Sequence, residues 1–122
     1  MMTERIKQAI AHDKVIDITT TGRTSGELRR IEMWYHHIDG HTYITGLPGK
    51  RDWYANMVAH PAFTFHLKES EQADLAATAR PITEPAEREI VLAKILKKLG
   101  RADSELADWV ERSPLVAVTF DA

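Results

Sequence analysis

A chain of 122 residues, 43% hydrophobic and 28% charged, has the size and composition of one ordinary globular domain, here expected to span 1–122 around a single core. Lys and Arg number 16 against 18 for Asp and Glu, so a net charge of −2 gives no overall basic field for nucleic acid, and the absence of cysteine excludes disulfides, thiolate metal sites and cysteine nucleophiles. No apolar run approaches the ~20 residues of a membrane span, and MMTERIKQAIAHDK lacks the apolar centre of a signal peptide, which together predict a cytoplasmic protein without an integral membrane segment.

Thr3 is placed to cap a short helix running to about Ala11, with Ile6, Ala9 and Ile10 on one face. The β-branched run from Val15 to Thr20 predicts a strand, and GRTSGE after it has the glycines and small polar residues of a turn. A second, longer strand is expected over Leu28 to Ile38. Asp39-Gly40 is a two-residue hairpin signal that pairs this strand with a third, His41 to Leu47. After Leu47-Pro48-Gly49 the chain reads as a helix from about Arg51 to Ala59, ended by His60-Pro61. Ala62 to Lys68 alternates with Phe63, Phe65 and Leu67 inward, and Ala73 to Ile82 is a fifth strand.

Thr83-Glu84-Pro85 supplies a cap, an acid and an early proline for a helix whose stripe is Val91, Leu92, Ile95, Leu96 and Leu99, stopped by Gly100. A short helix over Ser104 to Arg112 and a last strand over Leu115 to Phe120 complete the chain. Six mostly antiparallel strands with helices inserted at two places predict a small closed or split barrel of α+β type. The hairpin joining strands two and three argues against a doubly wound dinucleotide fold.

Two basic clusters with flexible backbone stand at the ends of adjacent strands. In the first, Gly22 and Gly26 let the chain bend and would offer N–H groups to an anion, Arg23 and Arg29 bring charged planar donors, and Thr24 and Ser25 bring hydroxyls. In the second, Gly49, Lys50 and Arg51 precede a helix whose N-terminal amides favour negative charge. Between them Met33, Trp34 and Tyr35, with Thr45, Gly46, Leu47 and Pro48, would give a flat ring apolar walls and backbone hydrogen bonds, or would equally serve as barrel core or dimer contact. His36 and His37 point to opposite strand faces and His41 falls beside Ile38, so no metal site is predicted.

Taken in order, TTTGRTSGELRR, the Asp-Gly hairpin and DWYANMVAHPAFTF resemble the deazaflavin-dependent nitroreductase family of split β-barrel flavin/deazaflavin oxidoreductases. The likeness runs most clearly from Ile16 to Leu67 and extends through TARPITEPAERE. It implies an FMN-binding-like six-stranded split barrel with peripheral helices, and an oxidoreductase that moves a hydride from the reduced deazaflavin coenzyme F-420 to a small acceptor such as a quinone, enone or nitroaromatic. The two basic clusters would hold the coenzyme's phosphate and oligoglutamate tail, with the strands between them as the ring's bed. Trp53 would pack under the cofactor loop, Asn56 would hydrogen-bond that loop, and Tyr35 or Tyr54 would orient substrate or give a proton. A homodimer, with its cleft near the subunit boundary, is also implied. Two departures stand out: GLPGKRDWY is shorter than the family's KGGxxxxPxWY loop, and Thr24 replaces a common Lys or Arg. Two alternatives keep the fold: an FMN flavoprotein needing one basic cluster, and a non-catalytic carrier of a fatty acid or tetrapyrrole.

Overall fold

The computed structural model describes residues 2–121. Helix α1 (Glu4–His12) leads into strand β1 (Val15–Thr21), followed by β2 (Leu28–Trp34), β3 (His36–Ile38) and β4 (His41–Thr45). Then come α2 (Asp52–Ala59), β5 (Ala62–Leu67), β6 (Ala73–Pro81), α3 (Pro85–Leu99), α4 (Leu106–Arg112) and β7 (Leu115–Phe120), with a 3-10 turn over Asp103–Glu105 entering α4. Thr3 caps α1 by accepting from the Ile6 amide at 3.2 Å. The cap of α3 is Glu84 rather than Thr83, its carboxylate accepting from the Glu87 amide at 2.8 Å. Gly100 ends that helix at φ 72°, in the left-handed region.

All strands join one antiparallel sheet in the order β2-β1-β5-β6-β7-β4-β3. The sheet has seven strands, not six, because the long strand expected over Leu28 to Ile38 breaks at Tyr35. Its first half pairs with β1 and its second with β4, so one continuous piece of chain supplies both edges of the curled sheet. That arrangement is the α+β split barrel. At the break the Tyr35 amide donates to the Lys14 carbonyl at 3.1 Å, outside the regular ladder. The Asp39-Gly40 turn forms as expected, with φ 53° and 79°, the pair of positive values that a two-residue hairpin turn matching strand twist requires.

Alternation along the strands fills the interior. Ile16, Ile18, Ile44, Phe65 and Val116 are fully buried there, closed below by Ala9 and Ile10 of α1 and by Trp53 and Met57 of α2. Each such side chain contributes roughly 1.5–3 kcal/mol by leaving water. Phe65 meets Tyr35 and Phe120 edge-on, with ring centroids 5.2 and 4.9 Å apart. A second apolar cluster lies on the other face of β4 and β7, where Leu115 packs with Leu92, Ile95 and Leu96 of α3 and Trp109 of α4. Among the described residues no helix is long and apolar enough to cross a membrane.

Candidate functional site

Helix α2 has a cavity on each side of its N-terminus, and each basic cluster lines one of them. The first, about 430 Å³, is bounded by Gly22, Arg23, Thr24, Ser25, Arg29 and Ile31 from the β1–β2 hairpin and by Asp52, Trp53 and Asn56 from the helix. The second, about 560 Å³, is bounded by Gly49, Lys50, Arg51 and Tyr54, together with Thr83, Arg88 and the segment 111–114. The two linings share no residue, so the clusters are neighbours across a helix end and not the two jaws of a single pocket. Arg51, the residue before α2, places no side-chain cap on the helix, which leaves its first-turn amides to face an anion.

The GRTSG turn is held by its own backbone. Gly22 donates to the Glu27 carbonyl at 2.8 Å and Gly26 donates back to the Gly22 carbonyl at 2.9 Å. These amides are therefore spent within the turn and do not serve as the anion donors expected of them. Gly26 sits at φ 72°, the left-handed region that favours glycine, whereas a Cβ on Gly22 would fall 2.5 Å from Ser25 Oγ and force that hydroxyl to move. Ser25 Oγ accepts from the Glu27 amide at 3.1 Å while its proton remains available to a ligand.

Asn56 ties this turn to α2. Its Oδ1 accepts from the Arg23 amide at 3.1 Å and from the Arg23 guanidinium at 3.0 Å, and its Nδ2 donates to Thr20 Oγ1 at 3.4 Å. Arg23 also reaches the exposed Asp52 carboxylate at 3.3 Å. Its guanidinium is thus oriented by the helix with part of its donor fork still open. Arg29 lines the same cavity, and its guanidinium has no hydrogen-bond partner among the described residues. Trp53 is buried beneath, edge-on to Tyr54 with ring centroids 6.1 Å apart.

On the other side Arg51 turns back to donate to the Lys50 and Leu47 carbonyls, at 2.9 and 3.0 Å, and so fixes the loop more than it extends from it. Gly49 occupies φ 132° and donates to the Arg112 carbonyl at 3.1 Å. Lys50 is exposed and has no side-chain partner among the described residues, which makes it the available cation of this cavity. Thr45 donates its hydroxyl proton to the Pro114 carbonyl at 2.6 Å.

The expected ring bed is not assembled as the sequence predicts. Met33 faces inward against the apolar core, Trp34 points to the opposite face and is 59% exposed, and neither lines either of these two cavities. Gly46, Leu47 and Pro48 also lie outside both linings, and a Cβ at Gly46 would meet only ordinary contacts at 3.7–3.8 Å. Tyr35 is 2% exposed and its hydroxyl donates toward the Ala9 and Ile10 carbonyls, at 3.1 and 2.9 Å. Burial holds its phenol proton well above the usual range, so Tyr35 is a structural anchor for α1 and not a proton donor. Tyr54, half-buried at the second cavity, is the tyrosine that a substrate can reach.

Arg88 is the participant that periodicity conceals, because it stands inside the apolar stripe of α3. It is 8% exposed and donates to four carbonyls: Ile82 at 2.7 Å, Val110 at 2.7 Å, Trp109 at 3.3 Å and Ser113 at 2.6 Å. Three of these belong to the C-terminal end of α4 and the residue after it, where unpaired carbonyls and the helix dipole favour a cation. Beside it Ser113 is buried with its hydroxyl unpartnered among the described residues.

The curled antiparallel sheet with its peripheral helices defines the protein as a split barrel of α+β type. Over residues 3–120 the sequence matches the family described as F420H(2)-dependent quinone reductase, and the chain belongs to that family. It is accordingly a deazaflavin-dependent reductase, with coenzyme F-420 as its cofactor. Solved structures share the fold. A conserved hypothetical protein of Mycobacterium tuberculosis, Rv2991, is 19% identical with a TM-score of 0.74, covering 100% of this chain and 82% of that one. A structure described as a domain-swapped dimer is 22% identical with a TM-score of 0.61, covering 88% and 81%. The reductase FDR-A, described as dependent on the reduced coenzyme, is 21% identical with a TM-score of 0.58, covering 88% and 95%. No curated protein matches the chain.

Proposed function

We propose that this enzyme binds reduced coenzyme F-420 across the N-terminus of α2 and reduces a small electrophilic acceptor of quinone type, with enones and nitroaromatics as related substrates. The observation that carries this reading is the placement of cations on both sides of one uncapped helix end, Arg23 and Arg29 in one cavity and Lys50 and Arg51 in the other. A long ligand bearing a phosphate and several carboxylates matches two cationic sites set apart by a helix terminus. Thr24 and Ser25 bring hydroxyls to the first site, while Gly22 and Gly49, their amides already donated, line the two cavities as backbone. The Asp52 carboxylate opposes an anion in the first cavity and orients Arg23 at the same time.

When bound, the reduced coenzyme supplies the hydride, and the acceptor takes a proton to complete its reduction. The chain's own part is orientation and exclusion of water. Trp53 gives the first cavity an apolar floor, and Tyr54 presents a phenol at the second, where it can hydrogen-bond the acceptor's oxygen or pass it a proton. We further read the enzyme as a cytoplasmic homodimer, a reading supported by the solved relative described as a domain-swapped dimer.

Tryptophan fluorescence tests the binding reading, because Trp53 lines the first cavity. Coenzyme F-420 and FMN are titrated separately into the protein. The expected result is saturable quenching by the deazaflavin with micromolar affinity, weakened about tenfold or more in Arg29→Ala and in Lys50→Ala. Equal affinity in both variants and the parent would remove the proposed placement of the anionic groups.

A further inference from the structure

The two edges of the sheet are finished differently. Strand β3 is three residues long and lies against α1 and α3. Strand β2 has seven residues in unbroken register with β1, no proline, no bulge and no strand on its outer side. It also carries exposed apolar side chains, Leu28 at 72%, Ile31 at 40% and Trp34 at 59%. A long, regular edge strand with an apolar surface is the kind that pairs with another chain.

The sequence of β2, LRRIEMW, reads as its own complement when reversed about Ile31. In an antiparallel pairing of two copies, Ile31 meets Ile31, Arg30 meets Glu32, Leu28 meets Trp34 and Arg29 meets Met33. No position then opposes a like charge: Arg30, which reaches Asp17 of its own chain at 3.0 Å, and Glu32, which pairs with its own Lys68, extend these ion pairs across the two-fold axis, and Leu28 meets Trp34 on the same face. Registers shifted by two residues lose this match: one centres on Arg30, opposing it to itself and Leu28 to Glu32, and the other centres on Glu32, opposing it to itself. Facing follows as well, since the pairing with β1 sets Arg29, Ile31 and Met33 on the interior side and Leu28, Arg30, Glu32 and Trp34 on the outer side.

We infer that the enzyme dimerises through β2 of two copies, paired antiparallel about Ile31 into one continuous sheet. This rests on the homodimer reading above and specifies its surface. Arg29 and Ile31 line the first cavity, so the second copy would wall that cavity with its own edge strand and set the partner's Met33 beside Arg29.

The absence of native cysteine makes single-cysteine variants clean reporters. Residues directly opposite across two antiparallel strands have Cα atoms about 4.5–5.5 Å apart, within disulfide reach. Ile31→Cys should therefore cross-link to itself on mild oxidation. Leu28→Cys and Trp34→Cys should each stay uncross-linked alone and should cross-link when mixed. Sedimentation of the full chain gives the second measurement. Arg30→Glu and Glu32→Arg should each weaken dimerisation about tenfold, because each opposes like charges at both Arg30–Glu32 positions, and an equimolar mixture should restore it; the register itself is read from the cysteine pairs.

A full-length parent chain that sediments as a monomer at every concentration would overturn both the homodimer reading and this interface. A dimer that Ile31→Cys does not cross-link, or whose charge variants dimerise as the parent does, would keep the homodimer and overturn the β2 interface. Circular dichroism of every variant confirms folding, and a variant that fails it is replaced by Ile31→Ser judged by sedimentation, where loss of dimer supports the interface and an unchanged dimer overturns it.

Discussion

Asn56 Oδ1 accepts two hydrogen bonds from Arg23, one from its amide and one from its guanidinium, so a single side-chain oxygen fixes both the backbone of the glycine turn and the direction of its cation. The helix that carries Asn56 thereby sets the geometry of a loop 33 residues away. Asn56→Leu keeps the branched shape and heavy-atom count of the side chain and removes both acceptor and donor. It should cost about 1–3 kcal/mol in denaturant unfolding by leaving the Arg23 amide unpaired, and it should weaken coenzyme binding in the fluorescence titration. Unchanged affinity with lowered stability would confine Asn56 to the fold.

The two tyrosines separate cleanly. Tyr35→Phe removes only the donation toward the Ala9 and Ile10 carbonyls, and should lower stability by about 1 kcal/mol with turnover retained. Tyr54→Phe should leave unfolding nearly unchanged and reduce kcat for a quinone more than it alters coenzyme affinity. Steady-state kinetics with both variants checks the pair, and equal kinetic effects would undo the assignment.

Arg88 is satisfied entirely by carbonyls, with no carboxylate among its hydrogen-bond acceptors. Arg88→Met leaves several buried carbonyls without donors and should destabilise by about 3 kcal/mol or more. Lys at this position cannot reproduce the planar fork and should recover only part of the loss. Chemical denaturation of the two variants beside the parent measures both.

His36 gives a pH dependence whose sign can be fixed. Burial first, and the Lys98 charge second, lower its pKa from 6.5 to about 4, and its Nδ1 has no hydrogen-bond partner among the described residues. Between those values the unfolded chain binds the proton and the folded chain does not. Stability contributed by neutral His36 is therefore full above pH 6.5 and is lost as pH falls toward about 4, by as much as about 3 kcal/mol. His36→Gln should flatten this acid limb in melts run across the interval. An identical pH profile in the variant would assign the limb to other groups.

Most of the fold was legible because local signals agreed with it. Asp39-Gly40 marked its hairpin, Gly100 stopped α3, and the alternation in AFTFHL placed Phe63, Phe65 and Leu67 inside. The break at Tyr35 was not legible. A bent strand and a straight one share the same side-chain period, and only the partners on its two sides tell them apart. The candidate site, as the cavities outline it, was legible in part. GRTSG and PGKR were found by their charge and glycines, but glycine composition cannot say whether an amide is free or already donated within its own turn, as at Gly22. Trp34 and Met33 share the composition of a ring bed, whereas their direction depends on which face of β2 meets the barrel interior. Arg88 was hidden in a stripe defined by its apolar neighbours.

Since one continuous segment forms both edges of the sheet, its residue count is set by the circumference it must close. An insertion at Tyr35 would turn one half of that segment inside out relative to the other, moving Met33 and Ile31, or His36, to the wrong side. The loop at Leu47–Arg51 has no such obligation, being anchored by Arg51 to its own carbonyls and by Gly49 to Arg112. Length variation within this architecture is thus accommodated by the very loop that the proposed function assigns to the coenzyme, where a change in ligand fit would come with no change in the barrel.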